Sequence, residues 1–306
     1  MSTTRRRITP DVIRRRKASG EPITLLSAYD YPIARCADLA GIDIAFVSDA
    51  FAVVGLGRSN TSSVTVDEVV YHTRAVRAGA GACLVLSALP FLSYGSPDKA
   101  LTSAGRLIKE AGADAVELEG GSEIAPTVEF LHGNGIAVVA HIGLTKQTFS
   151  RSGSHRTQGK TAAQAIEIIQ HAIAMEAAGA FALIVECVPD RLAEIITSVV
   201  EIPTIGIGAG PHCDGQGLVS EDMLGLYDKF CPKFVRQYRQ LGDDIKDAFS
   251  AFRADVNDRH FPGPEHTSIA DSAWSDSLSE KLEIGSEARG KVVRDKVLSA
   301  QISKNI

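Results

Sequence analysis

The chain has 306 residues, 44% of them hydrophobic and 23% charged, which is ordinary globular material and enough length for one large domain. A formal net charge of −5 argues against a nucleic-acid partner or an anionic membrane surface, and no apolar run reaches the ~18 residues that a membrane span needs. The five cysteines, Cys36, Cys83, Cys187, Cys213 and Cys231, are scattered and form no C-x-x-C pair, which excludes a disulfide framework or a zinc site and fits reduced thiols in a cytoplasmic protein.

Residues 8–20 read as a solvated helix rather than a targeting signal: no signal-peptide core follows the arginines, and Asp11 and Glu21 come too soon for a transit peptide. The rhythm then changes to short apolar runs alternating with helical stretches. Residues 22–28 predict a strand closing on Tyr29-Asp30, followed by a helix over 31–40 that Gly41 stops, with Asp30 as its cap. Residues 44–48 predict a second strand closing on Asp49. A helix over 66–78 follows, with Thr65 as its cap. The third strand spans 83–86 and closes on Ser87-Ala88, and Ser96 caps the next helix at Pro97.

Residues 115–119 form the fourth strand, Ala-Val-Glu-Leu-Glu before Gly120-Gly121. Alternation puts Glu117 and Glu119 on one face, about 6.5–7 Å apart. They are either solvated on an exposed edge or buried, where two carboxylates require a proton, a cation or a donor nearby. A helix over 123–132 is expected next, with Ser122 as its cap. A fifth strand over 136–140 closes on His141. Residues 143–160 are too long for a plain connector and read as a functional loop or lid. A helix over 162–178, a strand over 182–185 closing on Glu186, a helix over 190–199 and a strand over 203–207 complete seven units. An eighth strand is expected at Gly217-Leu218-Val219. Cys83 and Cys187 fall in strand-like runs and are expected in the core.

This alternation predicts a parallel α/β fold, and eight units suit a closed (β/α)₈ TIM barrel better than an open doubly wound sheet. Gly206-x-Gly208-x-Gly210 comes late, with Pro211 after it, and reads as a tight turn at the barrel mouth rather than a nucleotide fingerprint. The expected organisation is an N-terminal helical arm over 1–20, a barrel over 21–266 and a polar tail over 267–306.

In barrel enzymes the chemistry sits where strands end. Here those ends carry Asp30, Asp49, Glu119, His141 and Glu186. Asp49 and Glu119 suit a hard cation such as Mg²⁺. Glu186, between Val185 and Val188, is expected to have a raised pKa and to act as a general base or acid. His141 reads either as a site residue or as a core histidine bonded to a backbone carbonyl.

From about residue 22 to residue 266 the chain resembles the ketopantoate hydroxymethyltransferase family. The phrases that carry the resemblance are Ser27-Ala28-Tyr29-Asp30, Leu89-Pro90-Phe91, Glu119-Gly120-Gly121, His141-Ile142-Gly143-Leu144-Thr145, Glu186-Cys187-Val188-Pro189, Ile205-Gly206-Ile207-Gly208-Ala209-Gly210 and Phe261-Pro262-Gly263-Pro264-Glu265-His266. The resemblance implies a barrel of the phosphoenolpyruvate/pyruvate superfamily and a large homo-oligomer, a decamer in the family. It also implies a small-molecule acceptor, Mg²⁺, and 5,10-methylenetetrahydrofolate as one-carbon donor to 3-methyl-2-oxobutanoate. Asp49 falls at the first metal aspartate, Glu119 at the metal-associated glutamate and Glu186 at the catalytic glutamate, while Glu117, Ala50 and His141 fall at positions around the substrate.

Three of these positions depart from the family pattern. Ala88 stands where a second metal aspartate is expected, Ala50 where a serine helps hold the substrate carboxylate, and Glu117 where a lysine faces that carboxylate. The lysine-to-glutamate change is a swing of two charge units, and repels a carboxylate by about a few kcal/mol at an effective dielectric of ~20. The chain is therefore expected to have weak or no activity on 3-methyl-2-oxobutanoate, and to take a neutral or cationic carbonyl or imine instead. Three functions follow: a one-carbon transferase with a changed acceptor; a folate-independent lyase, aldolase or isomerase using Glu186 on a non-carboxylate substrate; or a catalytically silent scaffold barrel.

Overall fold

Eight strands run in sequence order around a closed barrel, each parallel to the next: β1 (Ile23–Ser27), β2 (Ile44–Val47), β3 (Leu84–Ala88), β4 (Ala115–Glu119), β5 (Val138–Gly143), β6 (Ala182–Glu186), β7 (Thr204–Ile207) and β8 (Gly215–Leu218), with β8 pairing back onto β1. The computed structural model describes residues 5–145, 147, 157–268, 272–282 and 291–302. Residues 146 and 148–156 of the expected lid lie outside them. The expected (β/α)₈ barrel is the observed fold. The chain divides into two compact units, 1–242 and 243–306. The first holds the whole barrel. The second contains most of a helix, Leu241–Asn257, and two further helices, Ser272–Leu282 and Lys291–Ile302. Among the described residues no helix is long and apolar enough to cross a membrane.

Strand alternation sorts the core into two layers. Leu25, Ile44, Phe46, Leu84, Leu86, Val139, Ile184 and Ile205 point inward and pack as one cluster, an apolar floor in the barrel. Val47, Val85, Val116, Leu118, Val138, Ala140, Leu183 and Val185 point outward against the helices. Helix α1 (Pro10–Ser19) serves the inner layer. Its Ile13, together with Ile8 just before it, joins the inner cluster, and Lys17 Nζ reaches Asp214 Oδ2 at 3.0 Å, at the start of β8. That places α1 at the N-terminal end and leaves the C-terminal end for polar side chains.

Most of the expected caps form. Asp30 Oδ1 accepts the Ile33 N–H at 2.9 Å and starts α2 (Tyr31–Ala40), so Asp30 serves that helix and does not line the barrel mouth. Thr65 and Glu68 make a reciprocal capping box on the helix Val66–Gly79. Four expectations need correction. Ser122 caps nothing: a 3₁₀ turn, Ser122–Ile124, comes first, and the regular helix begins at Ala125, where Pro126 occupies a position that needs no donor. Ser87, Ala88 and His141 do not follow their strands but sit inside them, held by the pairings Val47↔Ser87, Ala88↔Glu117 and Glu119↔His141. Cys187 is only half-buried, at a turn with φ 51°, because the chain reverses directly after Glu186; Cys83 is buried as expected. The eighth strand begins two residues earlier than expected, at Gly215. A Cβ there would lie 2.5 Å from the Ile23 carbonyl oxygen, so the seam closes only on a residue without one.

Candidate active site

Above the apolar floor the inward side chains become polar. Asp49 and Ala50 follow β2, Ala88 ends β3, Glu117 and Glu119 belong to β4, His141 to β5, and Glu186 ends β6. All seven line one cavity with ≈ 460 Å³ of space, its open mouth included. Ser27 and Ser48 share the rim. The carboxylates are buried: Asp49 is 3% exposed, Glu117 1%, Glu119 5% and Glu186 4%. Glu117 and Glu119 therefore lie on the inner face, not on a solvated edge.

His141 is the centre of the arrangement. Its Nδ1 lies 2.7 Å from Glu117 Oε1 and 3.9 Å from Glu119 Oε1, and its Nε2 lies 3.2 Å from Glu186 Oε2. The first contact is an aligned hydrogen bond; the last is a close electrostatic approach without hydrogen-bond alignment. The partners are thus carboxylates, not the backbone carbonyl that a core histidine would find. Burial alone would push the imidazole down. The Glu117 hydrogen bond and the Glu186 contact outweigh it and hold His141 well above its usual range, which favours the protonated ring. Glu119 moves the other way in charge: burial first, then the neighbouring Asp49, hold its carboxyl well above the usual carboxylate range.

Two residues escaped the sequence reading. Gln147 is 2% exposed. Its backbone N–H donates to Glu119 Oε2 at 2.9 Å, and its Nε2 donates to Asp49 Oδ2 at 3.2 Å and to the Leu89 carbonyl oxygen at 3.0 Å. The Tyr94 hydroxyl lies 2.6 Å from Gln147 Oε1 and 2.9 Å from the Glu119 carbonyl oxygen. Neither residue stands at a strand end, which is the signal that found the others.

Glycine controls the approach of β5 to β6. Gly143 has φ +93°, and a Cβ on it would lie 2.3 Å from the Glu186 carbonyl oxygen. Gly143→Ala is expected to lower stability by ~1–3 kcal/mol and to displace Glu186, measured by urea unfolding.

The Mg²⁺ implied by the family resemblance does not fit the donors as they stand. Asp49 and Glu119 each accept an N–H from Gln147, so the gap between them presents the positive ends of two dipoles, and Ala88 adds only a methyl group. A different trio, Glu117, Glu119 and His141, brings one ligand atom each within 4.8 Å of one another and can hold a metal ion. Imidazole with carboxylates suits ions such as Zn²⁺ or Mn²⁺ better than Mg²⁺, and His141 would first have to release the proton it shares with Glu117.

A closed parallel barrel with buried acids gathered around a histidine at its C-terminal mouth defines an α/β-barrel enzyme equipped for proton transfer. The family model described as ketopantoate hydroxymethyltransferase matches residues 7–264, and the chain belongs to that family. It is 46% identical over 263 residues to the 3-methyl-2-oxobutanoate hydroxymethyltransferase of Heliobacterium modesticaldum, covering 86% of this chain and 95% of that one. It is 48% identical over 265 residues to the enzyme of the same name from Moorella thermoacetica, covering 86% and 98%. Among solved structures, phosphonopyruvate hydrolase in complex with oxalate and Mg²⁺ superposes with a TM-score of 0.58 at 12% identity, over 85% of this chain and 93% of that one. A 2,3-dimethylmalate lyase superposes with a TM-score of 0.54 at 14% identity, over 89% and 98%. At such identities these two structures speak to the fold alone.

Proposed function

We propose that the chain transfers the methylene group of 5,10-methylenetetrahydrofolate, as a hydroxymethyl group, to the carbon beside the carbonyl of an enolisable acceptor other than 3-methyl-2-oxobutanoate. The row Glu117–His141–Glu186 at the barrel mouth carries this reading, and the relatives' names support the reaction type. Glu186 takes the proton from the acceptor carbon, and His141 Nε2, 3.2 Å away, supports the ionised carboxylate. The enolate forms a C–C bond to the methylene carbon. Both C–N bonds to the carrier break, its nitrogens regain protons from the acceptor and from water, and water supplies the hydroxyl.

The charge of the cavity argues for the changed acceptor. Its ionisable lining among the described residues is Asp49, Glu117, Glu119 and Glu186 against His141, with no lysine or arginine. A substrate carboxylate would enter against like charge, whereas a neutral or cationic carbonyl compound would not. The test mixes the enzyme and the folate donor with 3-methyl-2-oxobutanoate, its neutral amide and amine-bearing ketones, and reads hydroxymethyl products by mass spectrometry. Product from an uncharged or cationic acceptor is expected. Ordinary turnover of 3-methyl-2-oxobutanoate overturns the changed acceptor. Conversion of an acceptor without folate replaces transfer by lyase or isomerase chemistry, and silence throughout leaves a scaffold.

A further inference from the structure

We infer that Gln147, rather than a divalent cation, joins Asp49 to Glu119 in this chain, and that its carboxamide is what keeps Mg²⁺ out of the gap between them. Gln147 is fully used there. Its backbone N–H serves Glu119 at 2.9 Å, its Nε2 serves Asp49 at 3.2 Å and the Leu89 carbonyl at 3.0 Å, and its Oε1 lies 2.6 Å from the Tyr94 hydroxyl. No polar atom of the side chain is left to rearrange without losing a buried hydrogen bond.

The amide does for the two carboxylates part of what a cation would do. The carboxamide donates to Asp49 and the backbone N–H of the same residue donates to Glu119, so Gln147 holds the two acids in one geometry. It differs in charge: a carboxamide is neutral and cancels none of the acids' charge, whereas a dication would. Ala88, next to Leu89 on the cavity wall, contributes no oxygen with which a cation could compete for the space. Mg²⁺ takes only one or two carboxylates in a near-octahedral oxygen shell and gives up its waters reluctantly, so here it would have to displace the Gln147 donors from the two acids that the gap offers. Gln147 is thus a positioning and specificity-determining residue. The inference does not depend on which reaction the site performs.

The test uses Mg²⁺ alone as probe, on the full-length chain freed of metal with a chelator. Thermal unfolding and equilibrium dialysis are run with and without millimolar Mg²⁺, on the wild type, Gln147→Ala and Gln147→Glu. The first variant removes the carboxamide and its donor to Asp49, the second puts a carboxylate in its place, and both keep the backbone N–H to Glu119. The wild type is expected to bind no Mg²⁺ and to show no shift. Either variant is expected to gain a bound Mg²⁺ and a rise in Tm of about 2–4 °C. If one variant fails to fold, the other decides. One Mg²⁺ bound per wild-type chain, or folded variants that stay as blind to Mg²⁺ as the wild type, overturns the inference.

Discussion

Replacing Glu186 by glutamine is expected to slow proton removal from the acceptor carbon by ~10²–10⁴-fold while leaving the barrel folded. The substitution keeps the shape of a side chain that is 4% exposed, so no cavity opens. It removes the basic oxygen that lies 3.2 Å from His141 Nε2. It also removes one of the contacts that hold His141 well above its usual range, so the imidazolium should become easier to deprotonate. Loss of the acceptor's α-hydrogen signal in D₂O gives the rate, and an unchanged melting curve at the same pH shows that the effect is chemical. Exchange at the wild-type rate would remove Glu186 from the proposed mechanism.

The second large effect is on stability. His141→Gln is expected to destabilise the protein by about 3–5 kcal/mol, because it leaves Glu117, only 1% exposed, without its cationic partner. The pH dependence follows from the direction of the shifts. His141 is raised in the folded state, so its contribution is complete below the unfolded value of about 6.5 and is lost as pH rises through the folded value. Glu119 is raised too, so its contribution is complete below about 4.3 and is likewise lost as pH rises. In the presence of a chelator, the wild-type Tm should therefore fall as pH climbs. His141→Gln should lose the part of that fall that begins near pH 6.5 and keep the part due to Glu119. A wild-type Tm that rises through neutral pH would contradict the assigned charge states.

The sequence carried the barrel because seven of its strands are short, branched and bounded by helices with readable caps. The eighth was indistinct for a physical reason. Gly-Gln-Gly-Leu has no β-branched residue, and its place is set by closure against Ile23, which only register reveals. The acids at the mouth were legible because side chains alternate along a strand, so Glu117 and Glu119 had to share a face. What they touch was not legible. The bond from His141 to Glu117 runs diagonally across β4 and β5, since His141 pairs with Glu119 in register, and a one-residue slip would have sent the ring outward. Gln147 lay in a loop without periodicity, so nothing in its neighbours indicated that it turns inward.

A proton-handling glutamate thus works in a pocket whose walls oppose a substrate carboxylate. Comparing α-hydrogen exchange of 3-methyl-2-oxobutanoate with that of its neutral amide, on wild-type protein and on Glu186→Gln, tests it most directly. The amide should exchange at least about tenfold faster than the acid, and only with Glu186 present. Exchange of the acid at an equal or greater rate, or exchange that survives in Glu186→Gln, would contradict it.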